Sequence, residues 1–345
     1  MNAKRTIRFY FMVFAAFYVN SSIVHGQINL FEQDWIHGSE DCSTNTDVPI
    51  QLVQYNANTW ILRQNKCLNY EAPFLFLFLG EEKALLMDTG ASTEEQDAFP
   101  LAETINQIVS DWQKQQAKEI ELVVAHTHKH GDHYAGDGQF KENPNTTLVG
   151  LKLDDVINFF KFPNWPEEAV DFELGNRTLK IIAIPGHQEA SIAVYDPSSK
   201  LLLTGDTFYP GRLYVDDWSA FRKSIDRLVD FTETQEISYI LGNHIEMSTT
   251  DGVDYPIGST YHPEEQKLPL TKTDLHALQA TLNTLGDKPT RVALANFIIY
   301  PNPNLIFYVI LIGLVVILAL LFIAYRYFSR KRKRKRKLSS THKIE

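Results

Sequence analysis

Thr127-His128-Lys129-His130-Gly131-Asp132-His133 places three imidazoles and a carboxylate within six residues, directly after the apolar run Leu122-Val123-Val124-Ala125. Neutral imidazole and carboxylate suit a borderline cation such as Zn²⁺. A surface loop gains nothing from crowding histidines together. A chance His-rich tract would also lack the preceding strand and the glycine. The stretch therefore reads as a metal site at the end of a β-strand.

Four other places put a His or Asp at the end of an apolar strand, each beside a glycine. They are Leu85-Leu86-Met87-Asp88-Thr89-Gly90, Ile184-Pro185-Gly186-His187, Leu203-Thr204-Gly205-Asp206 and Leu241-Gly242-Asn243-His244. Alone, Asp-Thr-Gly or Pro-Gly-His is a common turn. Their serial order with the His cluster is what a sheet needs to present polar side chains at one edge.

Around these motifs the chain reads as strands first and then strands alternating with helices, which predicts sheets covered by helices and not a bundle. Strand-like runs are Pro49–Tyr55, Thr59–Leu62, Pro73–Leu79, Ala84–Met87, Glu121–Ala125, Thr178–Ile184, Leu201–Thr204 and Ser238–Leu241. Helical spacing links Leu101, Ile105, Ile108, Val109 and Trp112; then Trp218, Phe221, Ile225, Leu228 and Val229; then Leu275, Leu278 and Leu282. A helix is also expected after His133, and a last strand over Arg291–Tyr300.

The ends read differently from this core. Lys4, Arg5 and Arg8 precede an apolar run from Phe9 to Val19, which predicts a signal peptide over residues 1–26, with an uncleaved anchor as the rival. The domain is expected over 27–300 and a short linker over 301–304. Leu305–Tyr325 comprises 21 residues without a charge and predicts one transmembrane helix. The basic run Arg330–Lys337 follows, so residues 326–345 read as a cytoplasmic tail against anionic lipid. A nuclear-localisation reading of that run fits its place beside a span poorly. The expected location is a single-pass cell membrane protein with its domain on the exported side.

The net charge of the chain is −9; setting aside the +9 tail and the +3 leader leaves −21 for the domain. So acidic a surface repels polyphosphate, so no nucleic-acid partner is expected; the expected partners are a small-molecule substrate and the membrane. Cys42 and Cys67 show no metal-site spacing and could form a disulfide or remain two buried thiols. Asn145-Thr146-Thr147 and Asn176-Arg177-Thr178 match the glycosylation acceptor pattern.

In this order, from roughly Pro49 to beyond Leu241, the landmarks resemble those of the metallo-β-lactamase superfamily. The resemblance implies an α/β fold, a four-layer αβ/βα sandwich with its active site at one sheet edge. It implies two Zn²⁺ per chain: one held by His128, His130 and His187, the second by Asp132, His133 and His244, with Asp206 bridging. It implies that Asp88 orients His128 from behind and that Asp132 manages a proton during catalysis. True β-lactamases commonly carry Cys or Ser where this chain has Asp206, so the carboxylate points to other hydrolase branches. The implied activity is hydrolysis of a small ester, lactone or thioester by metal-activated water. Phosphodiesterase or β-lactam hydrolysis with the same metals is the alternative. A metal-dependent binding or sensor module is the non-enzyme alternative.

Weaker expectations surround the site. Tyr209, three residues after Asp206, resembles a pocket tyrosine of lactonases and is a candidate substrate contact, or simply packs. Arg212 and Tyr214 could grip a carboxylate but read better as solvated surface. His126 reads as a core histidine. His262 and His276 compete with His244 but lack a strand-end position. The Gln188-Glu189-Ala190-Ser191 turn and the lack of an Arg/Lys pair near the C-terminus weaken a glutathione-binding reading.

Overall fold

A computed structural model describes residues 28–94, 98–302 and 313–327. Its centre is two six-stranded sheets. The first comprises β1 (Ile50–Asn56), β2 (Thr59–Gln64), β3 (Phe74–Leu79), β4 (Lys83–Met87), β5 (Glu121–Ala125) and β6 (Thr146–Leu148), in that spatial order. The second runs β13 (Pro269–Leu270), β12 (Tyr239–Gly242), β10 (Leu201–Gly205), β9 (Ile192–Asp196), β8 (Thr178–Ala183), β7 (Val170–Glu173). A small third sheet joins β11 (Arg212–Val215), β15 (Ile298–Pro301) and β14 (Val292–Ala293).

Side-chain alternation sets the layers. Along Phe74-Leu75-Phe76-Leu77-Phe78-Leu79 all six residues are buried, because successive side chains leave opposite faces of the strand. Phe74, Phe76 and Phe78 enter the core between the two sheets, with Leu179, Ile181, Val194 and Leu203 from the other side. Leu75, Leu77 and Leu79 pack against Leu101, Ile105, Val109 and Trp112 of helix α1 (Leu101–Gln116). The second sheet repeats the device. Its outer residues Ile182, Ala193, Leu202 and Ile240 meet α4 (Trp218–Thr234) and α5 (Lys272–Leu285) through Phe221, Ile225, Leu228, Leu275 and Leu278. Helix, sheet, sheet and helix are thus the four expected layers.

Strand direction decides where chemistry can gather. Strands β4 and β5 are parallel, with Met87 opposite Ala125, so both end at one edge. In the second sheet β8 and β10 are each antiparallel to β9, and β12 is parallel to β10. Strands β8, β10 and β12 therefore also finish together. Two main-chain hydrogen bonds join the two edges: Phe74 N to Asn243 O (2.7 Å) and Ile192 N to Thr127 O (2.9 Å).

Several expectations need revision. The helix after His133 is only α2 (Gly131–Tyr134), followed by a 3₁₀ turn over Ala135–Gln139. Gly136 sits so close to the main chain that a Cβ there would lie 2.3 Å from Thr89 O. The last strand is a hairpin, because Leu294 N bonds Phe297 O and reverses the chain between β14 and β15. A further helix, α3 (Leu153–Phe160), lies where no element was expected.

The expected membrane span over 305–325 is corrected. Among the described residues no helix is long and apolar enough to cross a membrane. The described helix there covers 313–327. At 1.5 Å per residue it reaches roughly 22 Å, against a hydrocarbon core of about 30 Å. The single-pass location that rested on this span falls with it. Pro301 of the expected linker is the last residue of β15. The expected signal peptide, the rest of the linker and the basic tail beyond 327 lie outside the described residues.

Cys42 and Cys67 form a disulfide across 25 residues, tying the N-terminal segment to the turn after β2. In the loop-closure view a crosslink of that span stabilises by about 3 kcal/mol. The Cys42→Ser/Cys67→Ser double variant should lose about that much in urea unfolding, and an unchanged midpoint would show that the crosslink constrains little.

Candidate metal centre

Every donor sits at the shared sheet edge, on a turn or, for Asp132 and His133, in the short helix α2. His128, His130 and His133 follow β5, His187 follows β8, Asp206 follows β10, and His244 follows β12. They gather into two groups whose donor atoms lie within 4.8 Å of one another: His128, His130 and His187; and Asp132, His133, Asp206 and His244.

In the first group the nitrogens form a near-equilateral triangle. His128 Nε2 is 3.0 Å from His130 Nδ1 and 3.1 Å from His187 Nε2, and His187 Nε2 is 3.0 Å from His130 Nδ1. In the second, His244 Nε2 stands 3.3 Å from Asp132 Oδ2 and 3.4 Å from both His133 Nε2 and Asp206 Oδ1. Asp206 faces both groups. Its Oδ2 is 3.4 Å from His133 Nε2, 3.8 Å from His128 Nε2 and 3.9 Å from His187 Nε2.

The far ring nitrogens are tied to the protein, which sets which nitrogen faces inward. His187 Nδ1 lies 2.8 Å from the carbonyl of Tyr214, and His244 Nδ1 lies 2.9 Å from that of Glu71. A carbonyl accepts only, so each Nδ1 carries the proton and each Nε2 offers a lone pair to the site. His128 Nδ1 is 3.1 Å from Thr127 Oγ1.

Asp88 holds this edge together, but not as expected. Its Oδ1 accepts from Thr127 N (2.8 Å), and its Oδ2 accepts from Thr127 Oγ1 (3.0 Å) and Asn243 Nδ2 (2.6 Å). The imidazole it meets directly is His133, whose Nδ1 lies 3.2 Å from Oδ2. It reaches His128 only through the Thr127 hydroxyl. The register of β4 against β5 explains the difference, because Met87 opposite Ala125 sets Asp88 beside Thr127.

Two kinds of imidazole result. Burial, reinforced by neighbouring imidazoles, pushes the pKa of His128 well down, and burial lowers that of His187. Burial opposes charging His133 and His244 as well, but the carboxylates outweigh it. Asp206, Asp132 and Asp88 hold His133 well above its ordinary value, and Asp206 and Asp132 raise His244 to about 9. Against their own burial, Asp132 and Asp206 are held well below the carboxylate range, chiefly by His133 and His244.

These residues fit divalent cations. Three ring nitrogens at this spacing repel one another through their lone pairs unless a cation lies between them. Nitrogens about 2.0–2.1 Å from a tetrahedral zinc would be about 3.3 Å apart, close to the triangle seen here. Asp206 Oδ1 is buried with no hydrogen-bond partner, an orphan acceptor of the kind a cation satisfies.

Tyr209 presents no free hydroxyl to the cleft. It is buried and donates within 2.6 Å of Arg212 O and 3.0 Å of Glu246 Oε2. Arg212, read as solvated surface, is buried and pairs with Glu246 and Asp254 at 2.7 Å each. His126 is buried against Asp137 at 2.8 Å. His262 is stacked on Tyr255 and His276 pairs with Glu233 on the surface, so neither joins a donor group. Asn243, not singled out from sequence, is the amide that binds Asp88 and also donates to Phe74 O at 2.7 Å. Its place beside His244 at a strand end was the available signal.

A sandwich of two sheets carrying paired His and Asp clusters at one edge defines a class of sheet-edge metalloproteins. The chain belongs to the metallo-beta-lactamase superfamily, whose family model matches residues 72–264. It is 30% identical over 109 residues to a hydroxyacylglutathione hydrolase of Brucella anthropi, a match covering 30% of this chain and 40% of that protein. A counterpart from Brucella ovis is 29% identical over 109 residues, covering 30% of this chain and 41% of that protein. The match thus spans about two fifths of the curated relatives. Among solved structures, a metallo-beta-lactamase from Pontibacter korlensis is 15% identical with a TM-score of 0.43, covering 68% of this chain and 99% of that one. One from Erythrobacter litoralis is 15% identical with a TM-score of 0.44, covering 69% and 97%.

Removing the Asp88 carboxylate should strand the Thr127 and Asn243 donors in the interior. Asp88→Ala is expected to lose about 3–5 kcal/mol of stability in urea and to weaken zinc binding about 10–100-fold by competitive chelator titration. Wild-type zinc affinity in this variant would remove Asp88 from the support of the site.

Proposed function

We propose that this chain is a dinuclear metal-dependent hydrolase of small esters, thioesters or lactones. The observation that carries the reading is Asp206, a buried carboxylate facing both donor groups with one oxygen unpartnered. In this reading His128, His130 and His187 would hold one cation, Asp132, His133 and His244 would hold a second, and Asp206 would serve both. The nitrogen-rich donor set suits zinc.

Such cations supply an activated water and stabilise charge developing on the scissile carbonyl oxygen. The chain's residues provide the rest. Nδ1 contacts to the main chain keep His187 and His244 from rotating. Asp132 has the more exposed carboxyl of the two site aspartates, 22% against 9% for Asp206. With Oδ2 turned toward His133 and His244, its other oxygen is left to accept a hydrogen bond from water and to manage a proton as the leaving group departs. No serine or cysteine nucleophile is required.

The size of the substrate and the bond it carries have separate supports. A groove of about 450 Å³, lined by Leu153, Trp165, Pro185, Gln188 and Asp216, adjoins the His187 turn, a size for a small molecule. The matched relatives are named hydroxyacylglutathione hydrolases, and an acyl group joined through the glutathione sulfur is a thioester. The expected boundaries of the catalytic domain, 27–300, enclose the matched region and the whole two-sheet core.

Purified protein should carry about two equivalents of zinc by elemental analysis, with Asp206→Ala retaining about one or fewer. Chelation should reduce thioester turnover at least about a hundredfold, and added zinc should restore it. A protein loaded with both metals but inert toward thioesters, esters and lactones alike would falsify the hydrolase reading.

A further inference from the structure

Four basic side chains are buried among the described residues: Arg63, Lys66, Arg177 and Arg212. Each guanidinium has a carboxylate. Arg63 pairs with Glu265, Arg177 with Asp196, and Arg212 with Glu246 and Asp254. Lys66 differs. It is 2% exposed, and its one hydrogen bond goes from Nζ to the carbonyl of Tyr70 at 3.0 Å. None of the ion pairs found within 4.0 Å among the described residues involves it. An ammonium carries three donors, and burying one with donors unfilled costs free energy until an acceptor arrives.

The place of Lys66 gives that acceptor a meaning. Lys66 lines a pocket of about 60 Å³ together with Tyr70, whose carbonyl its Nζ reaches, and with Glu71, Arg212, Tyr214 and Glu246. The carbonyl of Glu71 holds His244 and that of Tyr214 holds His187. The pocket therefore lies between the two segments that brace the metal donors. The residue after Lys66, Cys67, is tied by the disulfide, and its N–H donates to Asn65 Oδ1 at 2.8 Å.

We propose that Lys66 and this pocket form a subsite for a carboxylate carried by the substrate, beside the metal-donor array. That the bound carboxylate belongs to a substrate rests on the hydrolase reading. At about 10–15 Å³ for each water-sized probe, the pocket takes a group the size of a carboxylate with its adjoining methylene. Charge favours a monoanion over a phosphate dianion, because Glu71 and Glu246 share the walls. The subsite thus selects acyl chains ending in a carboxylate.

The test compares thioesters whose acyl chain is glutaryl, ending in a carboxylate, or glutaramoyl, ending in the neutral amide. Zinc-loaded wild type should favour glutaryl in kcat/KM by at least about tenfold, and Lys66→Met should bring that ratio close to one. Equal rates on the two substrates in wild type overturn the subsite and leave the hydrolase reading standing. Calorimetric titration with glutaramate and glutaramide decides the subsite independently of turnover. Wild type should prefer glutaramate, and Lys66→Met should lose that preference. If neither thioester is cleaved but the Lys66-dependent preference persists, thioester hydrolysis fails and the anion site stands. The same preference in wild type and Lys66→Met overturns the site. Lys66→Met should melt no lower than wild type, since it removes an unpaired buried charge; should it not fold, Lys66→Gln carries the same comparisons.

Discussion

The buried carboxylate of Asp88 is the constraint on which the sheet edge depends. It takes the Thr127 amide and hydroxyl from one turn and the Asn243 amide from another, and it meets His133. Thr127 belongs to the first sheet's edge and Asn243 to the second's. A group with no exposure thus fixes the distance between two halves of the sandwich. Apolar packing between the sheets is non-directional and tolerates small slides. Hydrogen bonds to a single carboxylate do not, and the donor positions inherit that precision.

The donor array is electrostatically expensive on its own. Four imidazoles are buried in the two groups, alongside Asp132 and Asp206. The protein divides the cost unevenly. The carboxylates cluster around His133 and His244, while His128 and His187 stay neutral by burial. One half of the site is therefore built of nitrogens alone, and the other carries the carboxylates. Two cations placed there would meet different fields, and among the described residues Asp206 is the acidic group that lies near both donor groups.

Much of this was legible in the sequence because strand ends announce themselves. Five apolar runs each stop at a polar donor type beside a glycine, and the parallel directions of β4 with β5, and of β8, β10 and β12, turn that serial order into one edge. The remainder was not legible for definite reasons. β9, Ile192–Asp196, is buried along its whole length and shows no polar alternation. The reversal between β14 and β15 has no glycine or proline to mark it. Asp88 was expected behind His128, but only the register of β4 on β5 reveals that it faces His133. Arg212 looked like a surface residue because a sequence does not display Glu246 and Asp254 waiting for it.

The main-chain carbonyls of Glu71 and Tyr214 grip the outer nitrogens of His244 and His187, while the same two residues line the Lys66 pocket. Any amino acid supplies a carbonyl. Positions 71 and 214 can therefore be re-lettered by mutation while the histidines keep their braces. In the proposed enzyme, metal retention and substrate preference would then be separately heritable traits.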